Sequence, residues 1–167
     1  MLDDLWQQLK SEAKAVTKEE PLLAGYVYAC VLNHESLQSA LSFILANKLS
    51  DDVMPVATVR ELFDGAFSAS PEYIEQAASD IKAVFERDAA ICSYLPVILY
   101  LKGFQSIQVH RLAHFLWQNN RKELALFLQS RNSEVFSVDI HPACIMGHGI
   151  MFDHATGIVI GETSVIE

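Results

Sequence analysis

The last thirty residues, Val138 to Glu167, set the tightest limit on how this chain folds. They read VDIHPACIMGHGIMFDHATGIVIGETSVIE and hold Gly147, Gly149, Gly157 and Gly161, four of the seven glycines. Apolar residues recur every six positions, at Ile140, Met146, Phe152 and Ile158, and a second row runs from Ile160 to Ile166. Neither the 3.6 period of a helix nor the 2.0 period of a strand makes that spacing. A hexapeptide β-helix does, because its short strands turn a corner every six residues and stack coil on coil.

The residues before this stretch obey a different rule. Leu2, Leu5, Trp6, Leu9 and Ala13 share one helical face. Pro21 suits a helix start, Ser36 suits a cap, and Leu37, Leu41, Ile44, Leu45 and Leu49 follow as an apolar stripe. Pro55 opens another helix, and Ser70-Pro71-Glu72 combines a cap, a first-turn proline and an acid at the positive helix end. A helix near Tyr94 to Leu101 is expected to break at Gly103, with further helices over Phe104 to Trp117 and Lys122 to Leu128. The period changes near Asn132 to Ser137, which divides the chain into a helical domain, 1–135, and the start of a β-helix, 136–167.

With 167 residues, 51% of them hydrophobic and 20% charged, the chain suits one compact domain, or one domain plus the beginning of another, and is not disordered. Its net charge of −9 speaks against a nucleic-acid partner, since phosphates need clustered Lys and Arg. No apolar run reaches the ~18 residues of a membrane span, and the acidic, amphipathic start is unlike a signal peptide. A cytoplasmic location is expected. Cys30, Cys92 and Cys144 make no CxxC pair, so buried, reduced thiols are expected and no metal. His110 and His114 lie four apart on one helix face, but no third ligand stands near, which favours a structural pair. Trp6, Trp117 and the phenylalanines read as core or oligomer contacts.

Two acids and three imidazoles run through the hexapeptide segment: Asp139, His141, His148, Asp153 and His154. An imidazole titrates near neutrality and can take a proton from an alcohol, and a carboxylate on its other nitrogen fixes the tautomer. Asp139 and His154 are candidates for such a base and orienter. A regular triangular coil takes about eighteen residues. Their spacing of fifteen therefore puts them on adjacent coils but not in register, and contact needs a distorted corner. The alternative is that both acids cap corners and His154 is a surface residue.

Beyond this pattern, VDIHPA, GHGIMFDHATGIVIGET and LYLKGFQSIQVHRLAHFLW resemble bacterial serine O-acetyltransferase, as do LQSALSFILANKLSDDVMP and the acid in RDAA. The resemblance covers nearly all of the chain. It implies an α+β protein, with an N-terminal all-helical domain and the first coils of a left-handed parallel β-helix. It implies transfer of acetyl from acetyl-CoA to the hydroxyl of L-serine, in cysteine biosynthesis, with acetyl-CoA as co-substrate and no tightly bound cofactor. By the same resemblance His154 is the general base, Asp139 orients it, and Asp88 and Asp153 border the substrate. Trimers, or hexamers as dimers of trimers, are implied, with active sites between subunits.

The chain also departs from the family. Its RDPA motif reads Arg87-Asp88-Ala89-Ala90, without the proline, and a common Lys is replaced near Ile145-Met146. The family's later coils carry a second His, an Arg for the substrate carboxylate and most of the acetyl-CoA groove. They also lead to the tail that docks in O-acetylserine sulfhydrylase. All these fall beyond Glu167, so a fragment of weak or no activity of its own is expected. Two alternatives stand: a non-catalytic oligomerisation module, and a hexapeptide acyltransferase acting on a sugar or homoserine.

Overall fold

The computed structural model describes residues 2–167. A long helix α1 (Leu2–Glu19) buries Leu5, Trp6, Leu9 and Ala13, the face its spacing predicts. Pro21 starts only a short 3-10 turn, Pro21–Leu23, followed by α2 (Ala24–Val27) and a wide turn over Tyr28–Leu32. In α3 (Leu37–Leu49) the expected cap forms: Ser36 Oγ accepts from the amide of Ser39 at 3.2 Å. Leu37, Leu41, Leu45 and Leu49 then enter the core. Next come α4 (Val56–Ala69) and α5 (Glu72–Arg87). Ser70 does not cap α5 with its side chain. Its own amide closes α4 by donating to the Ala66 carbonyl, which leaves Pro71 at the α5 boundary.

The short α6 (Leu95–Tyr100) leads into α7 (Lys102–Gln118), the central helix of the fold. The break between them is at Leu101, in extended backbone, and not at Gly103. Gly103 lies inside the first turn of α7, where an added Cβ would sit 2.1 Å from the carbonyl oxygen of Phe152. A glycine stands there because two backbones meet.

Every α7 residue from Gly103 to Ala113 is buried, including five polar ones. Each is engaged: Gln105 donates to the Ile98 carbonyl, Ser106 to that of Gly103, Gln108 to Asp80, and His110 and Arg111 to the next segment. Most buried polar side chains have at least one such partner, although Gln105 Oε1 and His110 Nδ1 themselves have none. Helix α8 (Lys122–Phe136) packs along α7 and ends at Ser137, whose φ of 58° turns the chain into β-structure.

Four short strands follow: β1 (Val138–Ile140), β2 (Ile145–Met146), β3 (Ile158–Ile160) and β4 (Val165–Ile166). They pair in parallel, β1 with β3 and β2 with β4, to stack one coil on the next. The register joins Val138 to Ile158, Ile140 to Ile160 and Met146 to Ile166, so a coil is twenty positions long. The six-residue row therefore runs Ile140, Met146, Phe152 and then Ile160, not Ile158. The two added residues sit in one corner, between Phe152 and β3. That corner carries Asp153, His154 and Ala155.

Candidate active site

The enlarged corner makes two successive three-residue turns. The amide of Ala155 donates to the Asp153 carbonyl at 2.5 Å, and that of Thr156 to the His154 carbonyl at 2.9 Å. Their central residues, His154 and Ala155, have φ of 51° and 64°, a region that β-carbons disfavour. Such conformations cost about 1–3 kcal/mol each and persist where surroundings hold them. The tight turn thus falls on the histidine itself. The His154 side chain is 94% exposed. Its nearest carboxylate is that of Asp153, 3.7 Å from Nε2, longer than a hydrogen bond.

Asp153 and His154 line a cleft of about 260 Å³ between the helices and the first coil. Asp88, at the end of α5, faces the same cleft. Its Oδ1 accepts from the Ala90 amide at 2.9 Å, and its carbonyl accepts from Ile91 at 3.0 Å. These two bonds hold the 88–91 turn without the proline of RDPA. Tyr100, Lys102 and Gly103 close the other wall. The Lys102 ammonium donates to Thr156 Oγ1, tying the start of α7 to the corner. Of these, Tyr100 and Lys102 did not stand out in the sequence, and Gly103 did so only as a helix break, although a Lys-Gly pair at a helix start is a usable signal. The cleft thus sets two carboxylates against an ammonium and the positive end of a helix dipole, a charge pattern suited to a zwitterion.

Asp139 is not in this cleft. It lies on β1 between inward-facing Val138 and Ile140, and accepts from Gln129 Nε2 at 2.8 Å in a separate recess bordered by α8. The other imidazoles fasten corners. His110 Nε2 donates to the Cys144 carbonyl at 3.0 Å, and His114 Nδ1 to that of Pro142 at 2.7 Å. His141 Nδ1 accepts from Ala143, and His148 Nδ1 meets Ser79 Oγ at 3.2 Å. Burial, then the neighbouring His114, pushes the pKa of His110 down to about 3, so it stays neutral. Among the described residues no group of three or more His, Cys, Asp and Glu could hold a metal. No helix there is long and apolar enough to cross a membrane. Cys30 and Cys144 are buried and unpaired, but Cys92 is exposed, contrary to the expectation for all three.

Residues 5–109 match the family model "Serine acetyltransferase, N-terminal". The chain belongs to the serine acetyltransferase family. It is 52% identical to the serine acetyltransferase of Haemophilus influenzae over 164 residues, 98% of this chain and 61% of that protein. A solved serine acetyltransferase in complex with CoA superposes with a TM-score of 0.98 at 51% identity, covering 99% of this chain and 70% of that one. The soybean enzyme complexed with serine gives 0.94 at 48% identity, over 97% and 67%. The chain spans 61% of the length of the bacterial relatives and 46–52% of that of the plant ones. Its last four strands are accordingly the start of the β-helix of this family.

Proposed function

We propose that this chain takes part in serine O-acetylation, moving acetyl from acetyl-CoA to the hydroxyl of L-serine. One observation carries the reading: Asp88, Asp153 and His154 line a single cleft in a chain of this family. The ammonium of serine would lie between Asp88 and Asp153. His154 takes the hydroxyl proton as the oxygen attacks the thioester carbonyl. The tetrahedral intermediate collapses, the C–S bond breaks, and the imidazolium returns its proton to the CoA thiolate. No acyl-enzyme forms. The serine and CoA complexes of the relatives support both substrates.

In the single chain Asp139 lies apart from His154. We propose that the two come within reach when copies assemble into a trimer or hexamer, with 1–135 as the assembling domain and 136–167 opening the catalytic one. Residues 1–167 alone would turn over weakly, and acetyl-CoA and a sulfhydrylase partner would engage other parts of the full-length enzyme. Cysteine biosynthesis in the cytoplasm is the setting this activity implies.

Release of CoA thiol from acetyl-CoA should depend on L-serine in the full-length enzyme, with homoserine and a sugar at least ~10-fold poorer in kcat/KM. Equal rates with another acceptor would replace serine in this reading. No acceptor-dependent release at all would leave the oligomerisation module as the better description.

A further inference from the structure

The 147–150 corner, just before the cleft, is held from the helical side by four side chains. Arg87 Nη1 donates to the Gly149 carbonyl at 2.7 Å, and Ser79 meets His148. The other two are charged and buried. Asp80 on α5 is 0% exposed and Arg111 on α7 is 2% exposed, and they pair at 2.6 Å. Asp80 Oδ1 also accepts from the Ile150 amide at 3.0 Å, and its Oδ2 from Gln108 at 2.9 Å. Arg111 Nη1 donates to the Gly147 carbonyl at 2.9 Å and to Gln76 at 2.7 Å.

We propose that Asp80 and Arg111 are positioning residues for the reaction, acting through the 147–150 corner to hold Asp153 and His154 at the cleft. This rests on the serine-acetylation reading. The pair binds the corner at two points of opposite polarity: the carboxylate takes an N–H and the guanidinium takes a C=O. A slip of one residue would set carbonyl against carboxylate and leave buried charge unsatisfied, which is heavily disfavoured. An apolar pair of equal volume could fill the space but would satisfy neither group and choose no register. From Ile150 the chain has only Met151 and Phe152 before Asp153, and the Phe152 carbonyl is already seated on Gly103. The register set at Ile150 is thus passed to His154. One extended residue spans about 3.3 Å, and an error of even ~1 Å at a reacting group costs about 100-fold in rate.

The test is the double variant Asp80→Leu/Arg111→Met in the oligomeric full-length enzyme. It should stay folded and oligomeric, with a lowered melting temperature because the Ile150 amide, the Gly147 carbonyl and Gln108 lose their partners. Its kcat with serine should fall about 100-fold, its KM for acetyl-CoA should stay within about twofold, and amides 151–155 should exchange faster. Parental kcat in the folded double variant would overturn the proposal, because the corner would then keep its position without the pair. If the double variant does not fold, Asp80→Asn keeps the volume and an acceptor for Ile150. A kcat loss of about 10-fold with unchanged circular dichroism then supports positioning, and parental kcat overturns it. If the parent shows no serine-dependent turnover, the functional reading fails by itself. Amide exchange then decides: faster exchange over 151–155 in the variants keeps the positioning role, and unchanged exchange removes it.

Discussion

Two neighbouring segments of the first coil are held in opposite ways. Residues 147–152 are fixed by groups from elsewhere in the chain: Asp80, Arg87, Arg111 and the close approach of Gly103. Residues 153–157 are shaped chiefly by their own backbone, with two three-residue turns and positive φ at His154, Ala155 and Gly157. One contact apiece reaches out: Lys102 to Thr156, and the Gly157 amide to the Ser137 carbonyl. The first segment spends buried charge on register; the second leaves an imidazole in solvent. A strained, exposed turn keeps one shape only when the chain entering it is fixed, so the two belong together.

The largest effect should come from filling the contact that anchors the entry. Gly103→Ala normally favours a helix by about 1 kcal/mol. Here its Cβ would meet the Phe152 carbonyl, and a loss of about 3 kcal/mol is expected in urea unfolding. Unchanged or increased stability would show that the two backbones part easily and that the entry is not fixed.

The α7 grip should also give a pH signature. An unfolded His110 takes up a proton below about pH 6.5, whereas the folded one, held down to about 3 by burial, does not. The unfolded state therefore binds more protons between those values. His110's contribution is intact above pH 6.5 and is lost as pH falls toward 3, by about 1.4 kcal/mol per pH unit. Urea midpoints at pH 7, 6 and 5 should show this slope, and His110→Gln should reduce it. An equal slope in both proteins would contradict a neutral, buried His110.

The smallest effect has the opposite sign. At φ of 51°, His154→Gly relieves strain while losing an exposed side chain. A gain of up to about 1 kcal/mol in thermal unfolding is expected. A loss larger than that would mean the side chain supports the turn.

Much of this was legible in the residues, for reasons that differ by place. The helical stripes and the Ser36 cap were readable because they depend on near neighbours. The six-residue period identified the β-helix, but not that one corner holds two extra residues, since Ile158 and Ile160 both continue a plausible row. Gly103 read as a helix break because its reason, the Phe152 carbonyl, is far along the chain. Asp88, Asp153 and His154 line one cleft although Asp88 is far from the other two in sequence, whereas Asp139 lies in a separate recess of the chain. The Asp80–Arg111 pair gave no signal, because two charged residues in separate helices look like solvated ones until the helices pack.

The central claim is that the fixed entry exists to hold His154 out as a base. It is tested most directly by measuring turnover and melting temperature together for His154→Ala in the full-length enzyme. Serine-dependent CoA release should fall by about 100-fold or more, while the melting temperature stays at or above the parent's. Retained turnover would contradict the claim, and so would a loss of turnover that only follows a loss of stability.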